Sequence, residues 1–218
     1  MTRTRTSTLT ATALVAGAMM TLTATLTASR AQEPPVPAPA TAATAACVGS
    51  PAPDFTLSAL DGSTLRLADL KGMVVVLEWF DPDSPWVAKH HATHATMRQL
   101  AAKWTGQVSW LAISSGRSAA RARLAQARTE WSITWPILLD EQGEVARRYG
   151  ARTAPHMFVI DTRGVLRYAG AIDDDPSQTE VGRVNWVDRA VAAIVAGAAV
   201  DPATTEPYGS ELEGDARE

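Results

Sequence analysis

The stretch over residues 73–86, Met-Val-Val-Val-Leu-Glu-Trp-Phe-Asp-Pro-Asp-Ser-Pro-Trp, limits the possible folds more than any other part of the chain. Residues 73–80 form an almost unbroken apolar run with three consecutive valines. Such a run suits a strand covered on both faces, and hence central in a parallel sheet. Turn residues follow, then Ser84 and Pro85, an N-cap hydroxyl and a first-turn proline that together open a helix. A buried strand therefore delivers its C-terminal end to a helix start. In open α/β sheets chemistry collects at this junction, because the strand fixes position while the helix presents unpaired N–H groups.

The remaining segments fall into order around that strand. Residues 51–57 and 65–67, separated by the turn signal Asp61-Gly62, read as an N-terminal β-hairpin. One helix is expected over 84–104, ended by Thr105-Gly106, and a strand over 108–113. A helix of that length between them makes the two strands parallel with a right-handed crossover. An arginine-rich helix over 117–131, a strand over 136–139 and a short helix over 141–149 ending at Gly150 come next. Residues 157–160 turn at Thr162-Arg163-Gly164 into a second strand over 165–170, and 184–196 form a closing helix with Trp186, Val187, Ala190, Val191 and Ile194 on one face. The order predicts an α/β fold, a central mixed sheet flanked by helices with an N-terminal β-hairpin.

The ends carry a different composition. Arg3 and Arg5, an apolar, threonine-rich run over 9–26 and Ser29-Arg30-Ala31 read as a signal peptide over 1–31, with export to periplasm or medium and no membrane anchor after cleavage. Its removal takes away Arg3, Arg5 and Arg30 and moves the formal charge from −3 to −6, a surface with no general attraction for nucleic acid. Residues 32–47 are a Pro/Ala/Thr-rich linker, 48–200 the folded domain, and 201–218 an acidic tail expected to be mobile unless Tyr208 anchors it. Cys47 is the only cysteine, so no internal disulfide can form and any thiol chemistry needs an outside partner.

Several pieces together resemble the redoxin family, also called the alkyl hydroperoxide reductase and thiol-specific antioxidant family, of the thioredoxin superfamily. They are Ala52-Pro53-Asp54-Phe55-Thr56-Leu57, Asp61-Gly62, Leu70-Lys71-Gly72, the valine-rich strand, and Thr153-Ala154-Pro155 with Phe158-Val159-Ile160-Asp161-Thr162-Arg163-Gly164. A narrower group within the family has Glu-Trp-x-Asn-Pro-Asp-Cys-Pro-Phe-Val-x-Lys-His and ends near a second Tyr-Gly-Cys. This chain matches it at Glu78, Trp79, Pro82, Asp83, Pro85, Val87, Lys89 and His90, and again at Tyr208 and Gly209. At the two cysteine positions it has Ser84 and Ser210.

The resemblance implies a thioredoxin-like fold and an antioxidant or thiol-disulfide oxidoreductase role, and that chemistry needs a thiolate. A serine hydroxyl is too weak an acid to replace it and cannot pass through sulfenic acid or disulfide states. The second position of a Cys-x-x-Cys pair falls at Val87, and the Pro and Thr of peroxidatic members are replaced by Leu77 and Asp81. Glu78 stands where thioredoxins keep a buried acid that manages the cysteine proton; the alternative is a strand-end acid bonded to water or Lys89. Pro155 resembles the cis-proline of the fold, which would leave Ala154 free to pair with an extended polypeptide and place Ala154, Pro155 and His156 in a substrate groove; the alternative is a turn proline.

Other candidates weigh less. His90 and His94 have the i, i+4 spacing of a metal chelate, but they share a face with Val87 and Met97, no acid or thiol sits at motif spacing, and neither a metal nor another cofactor is expected. Asp173-Asp174-Asp175 reads as a solvated turn, and Ser84 as a hydrolase nucleophile has only His156 as base and no Gly-x-Ser-x-Gly setting. Two functional expectations follow. One is a catalytically degenerate redoxin domain that binds partners at the Pro155 groove; the other is residual thiol-dependent oxidoreduction through Cys47, carried to the site by its linker.

Overall fold

A computed structural model describes residues 45–116 and 120–212; the signal-peptide reading over 1–31, most of the linker and the last six residues lie outside them. The N-terminal hairpin is β1 (Thr56–Ala59) with β2 (Thr64–Arg66). A short helical turn, Leu67–Leu70, leads into β3 (Val74–Trp79), in which all six residues are buried. The core continues as β4 (Val108–Ser115), β5 (Ile137–Asp140), β7 (Met157–Ile160) and β8 (Leu166–Gly170), while β6 (Thr153–Ala154) and β9 (Ser210–Glu211) form a separate small ladder. Sheet order is β2-β1-β5-β4-β3-β7-β8. β3, β4 and β5 are parallel, and β1, β7 and β8 join antiparallel. This is the thioredoxin-like mixed sheet, with β3 next to its centre.

Alternation along β3 builds two cores. Val74 and Val76 face the cluster containing Phe80, Val87, Met97, Trp110 and Trp135, while Val75, Leu77 and Trp79 face the one containing Phe55, Tyr149 and Phe158. The period of two turns Glu78 toward the first of these, and there it is fully buried. Helices cover both faces: α1 (Pro85–Ala88), α2 (Thr96–Lys103), α3 (Arg121–Glu130), α4 (Glu144–Tyr149) and α5 (Trp186–Val195). Asn185 caps α5 by accepting the Asp188 N–H at 2.8 Å. Among the described residues no helix is long and apolar enough to cross a membrane.

The structure differs from the sequence reading at two places. The single helix expected over 84–104 is broken: α1 passes into a wide π-helical turn, Lys89–Thr93, and Ala95 takes a left-handed conformation (φ 53°) before α2 starts. The wider turn lets two adjacent histidines bury in different directions, each with its own partner. The turn at Asp173 is solvated only in part: Asp174 is exposed, but Asp173 is not. Asp173 is 2% exposed and accepts the N–H groups of Asp175 and Gly182, tying the two ends of the 173–182 loop together. The tail takes the alternative that the sequence left open: Tyr208 anchors it, and through Leu212 it is packed on the domain.

Candidate functional site

The site is assembled where β3, α1, β6 and β9 converge. Ser84 stands at the N-cap of α1, as its sequence setting predicts, but its hydroxyl does not cap the helix. It is 1% exposed and donates to the Ala154 carbonyl at 2.7 Å. Ser210 donates in turn to Ser84 Oγ at 3.0 Å. Two residues separated by 126 positions, both read as replaced cysteines, thus meet in one hydrogen-bonded chain.

The Ala154–Pro155 peptide is cis, but Ala154 is not left free. Its backbone pairs with Ser210, and Thr153 with Glu211, in the antiparallel β6–β9 ladder. This corrects the expectation of an open groove at Ala154: the chain's own segment occupies it. Gly209 makes the approach possible. Its φ is +147°, and a Cβ there would run into the Ala154 carbonyl, so no side chain fits at this position.

Tyr208 fastens the same segment. Its hydroxyl donates to Asp173 and lies 3.0 Å from His90 Nε2, and the Lys89 ammonium sits 4.9 Å above its ring. Lys89, itself 1% exposed, donates to the Asp175 and Ser177 carbonyls at 2.8 and 2.7 Å, and Trp86 Nε1 donates to the Pro176 carbonyl at 2.8 Å. Burial lowers the Lys89 pKa, opposed by Asp173 and Asp175. Burial, helped by the neighbouring Lys89, pushes His90 down to about 3, so its imidazole is neutral and can exchange hydrogen bonds with Tyr208 and Thr96. Burial also raises the Tyr208 phenol, keeping it a donor to Asp173.

Glu78 does not contact Lys89 as one sequence reading had it. Its Oε1 is 2.8 Å from His91 Nε2, and that imidazole stacks on Trp131 with ring centroids 5.5 Å apart. His156, the candidate base for a serine nucleophile, is spent elsewhere: its Nδ1 accepts the Arg152 N–H at 3.3 Å and its ring packs on Phe158. Burial pushes it down to about 3, and among the described residues no hydrogen bond joins it to Ser84. His90 and His94 diverge, His94 reaching the Thr179 carbonyl at 2.7 Å, and among the described residues no group of three or more His, Cys, Asp or Glu is arranged to hold a metal.

Cys47 is exposed and remote. Gly49 and Ser50 bond to Leu166, which pairs with Ile160 and through it with Val75 at the N-terminal end of β3. Ser84 follows the other end of β3, about 13 Å of strand away at roughly 3.3 Å per residue. Ala46 and Val48 also pack on the Phe55 cluster, whereas Ala154 and Tyr208 belong to the opposite face. The idea that a loose linker brings Cys47 to the site is therefore corrected: residues 46–52 are hydrogen-bonded to Arg148, Gly164 and Leu166.

The sequence profile of the AhpC/TSA family matches residues 48–169. The chain belongs to this family. Among similar proteins, this AhpC/TSA member is 32% identical over 125 residues to the thiol-disulfide oxidoreductase ResA of Geobacillus thermodenitrificans (57% of this chain, 69% of that one). It is 30% identical over 131 residues to the thiol:disulfide interchange protein DsbE of Pseudomonas fluorescens biotype C (58% and 69%). A crystal structure of an uncharacterized conserved protein from Geobacillus kaustophilus shares the fold with TM-score 0.69 and 24% identity, over 79% of this chain and 94% of that one. The family profile ends before the segment that carries Tyr208, Gly209 and Ser210.

Sequence reasoning missed three parts of the site. The buried chain from Trp79 Nε1 to Ser115 Oγ (3.0 Å) and from Ser115 to Asp140 (2.8 Å) ties the end of β3 to the start of α4. Asp140 accepts the Val145 and Ala146 N–H groups, so it acts as the cap of α4. Asp173 was hidden in an acidic run, and only Tyr208, flagged as an anchor, pointed toward it.

Proposed function

We propose that this protein is an exported, redox-silent member of its family that works as a binding module for extended polypeptide through the Pro155 groove. The observation that carries the reading is the Ser84–Ser210 contact at 3.0 Å, two hydroxyls where the chemistry of thiol-disulfide exchange needs sulfur. Hydroxyls cannot cycle electrons, and the one thiol of the chain stands at the other end of the sheet on the opposite face. What remains is the recognition geometry: a backbone edge at Ala154 of the kind that takes an antiparallel strand, filled here by the chain's own Ser210–Glu211. Export rests on the signal-peptide pattern over 1–31.

The test is a capture assay with immobilised full chain against a library of extended peptides, comparing the parent with Ala154→Pro. Pro removes the backbone N–H and disfavours the paired conformation, so capture is expected to fall at least tenfold. Equal capture by both proteins would contradict the groove reading.

A further inference from the structure

The segment 208–212 lies in the groove as a bound ligand would, and its contacts are sequence-specific. Tyr208 places its ring under Lys89 and its hydroxyl between Asp173 and His90. Gly209 crosses the Ala154 carbonyl where no Cβ fits. Ser210 meets Ser84, and the Leu212 N–H donates to the Arg152 carbonyl at 2.9 Å while its side chain packs on both cores. Only position 211 faces solvent without such a constraint.

We propose that the groove is a selective docking site for a partner polypeptide carrying an extended Tyr-Gly-Ser-x-Leu segment, and that the chain's own residues 208–212 are its built-in competitor. The inference rests on the binding-module reading and names the partner chemistry for it. The competitor is held by side chains more than by backbone: its ladder is two residues long, Glu206 pairs with Arg152 at 2.8 Å, and Tyr208, Ser210 and Leu212 make the contacts above, whereas Thr205 just upstream is fastened to Tyr168, Ala169 and Ala171. A partner with the same motif offers each of the contacts of 208–212 in exchange, so residues 206–212 are replaced as a unit while Thr205 stays. A segment tethered this way competes at an effective concentration of order millimolar. Free peptide binds the parent weakly for that reason.

Two measurements on the full chain test this. In the first, a fluorescent peptide with the sequence of residues 206–212 is titrated into the parent and into Gly209→Val, where the added side chain expels the strap but leaves every groove residue in place. The variant is expected to bind at least tenfold tighter, and a peptide with Val for its Gly is expected not to bind. Equal affinity for parent and variant, or tolerance of the Val peptide, would overturn the proposal.

The second measurement does not depend on that variant folding. The Cys47→Ser, Ser84→Cys double variant is mixed with the same peptide carrying, in place of its Ser, a cysteine joined by a disulfide to an aromatic thiol. The protein thiolate attacks the peptide sulfur, a new protein–peptide disulfide forms, and the aromatic thiolate leaves and is counted by its absorbance. Capture is expected at least tenfold faster than with a scrambled peptide bearing the same leaving group. Equal rates with scrambled peptide would overturn the sequence preference while leaving a general groove intact, and library peptides that also fail to bind would remove both readings. A concentration-dependent dimer of the parent would assign the groove to a second copy's strap and overturn the partner.

Discussion

Ser84 puts a hydroxyl at the start of α1 and uses it as a hydrogen-bond relay, donating to the buried Ala154 carbonyl and accepting from Ser210. Ser84→Ala leaves the Ala154 carbonyl without its hydroxyl donor and Ser210 without its acceptor, and a loss of about 1–3 kcal/mol is expected. A denaturant midpoint that falls without a change in slope is the reading to look for, and an unchanged midpoint would show that the relay contributes nothing. Two buried histidines make a second prediction. His90 and His156 are both held near 3 by burial, well below the ordinary value near 6.5. The folded state therefore keeps them neutral while the unfolded chain takes up protons. The stability they permit is fully present above about pH 6.5 and declines as pH falls from there toward 3, by up to about 1.4 kcal/mol per pH unit for each histidine. Unfolding free energies at pH 7 and 5.5 for the parent and for His90→Gln check the sign: the variant is expected to show the shallower decline. Of these residues the sequence exposed Ser84, Ser210, Pro155 and the histidines as types. It could not tell that His91 rather than Lys89 meets Glu78, because that choice depends on the π-helical turn.

Elements were more legible than their joints. The valine-rich run over 73–80, the Asp61-Gly62 turn and the hairpin at Thr162-Arg163-Gly164 each carry their own local signal, and each lies where that signal puts it. The break between α1 and α2 carries none, since Ala95 is a good helix former with no glycine or proline beside it. It is enforced from outside, by partners that pull Lys89, His90 and His91 apart. A left-handed alanine is strained, so Ala95→Gly is expected to raise stability by up to about 1 kcal/mol rather than lower it as glycine usually does near a helix. A lower melting temperature in that variant would contradict the account of the joint. The strap was half legible. Tyr208 announced an anchor, but the burial of Asp173 was concealed by its acidic neighbours, and the pairing of β9 with β6 joins residues more than fifty positions apart.

At the scale of the whole molecule, the thioredoxin-like sheet brings Ser84, the cis Pro155 and Ser210 together beyond one end of β3, with hydroxyls at the two positions that the sequence resemblance gives to cysteine. The positions are close enough to act as a pair, so placing a thiol at each is expected to create a dithiol couple. Cys47, fixed at the other end of the sheet, has no part in it. The decisive measurement is the reduction of hydrogen peroxide and of a small disulfide under a supplied dithiol reductant, run side by side for the parent, for Cys47→Ser and for the double variant Ser84→Cys, Ser210→Cys. A parent rate no higher than that of reductant alone, unchanged in Cys47→Ser, together with disulfide reduction by the double variant, is the predicted result. Turnover by the parent that disappears in Cys47→Ser would contradict it and move the chemistry to the thiol at the far end of the sheet.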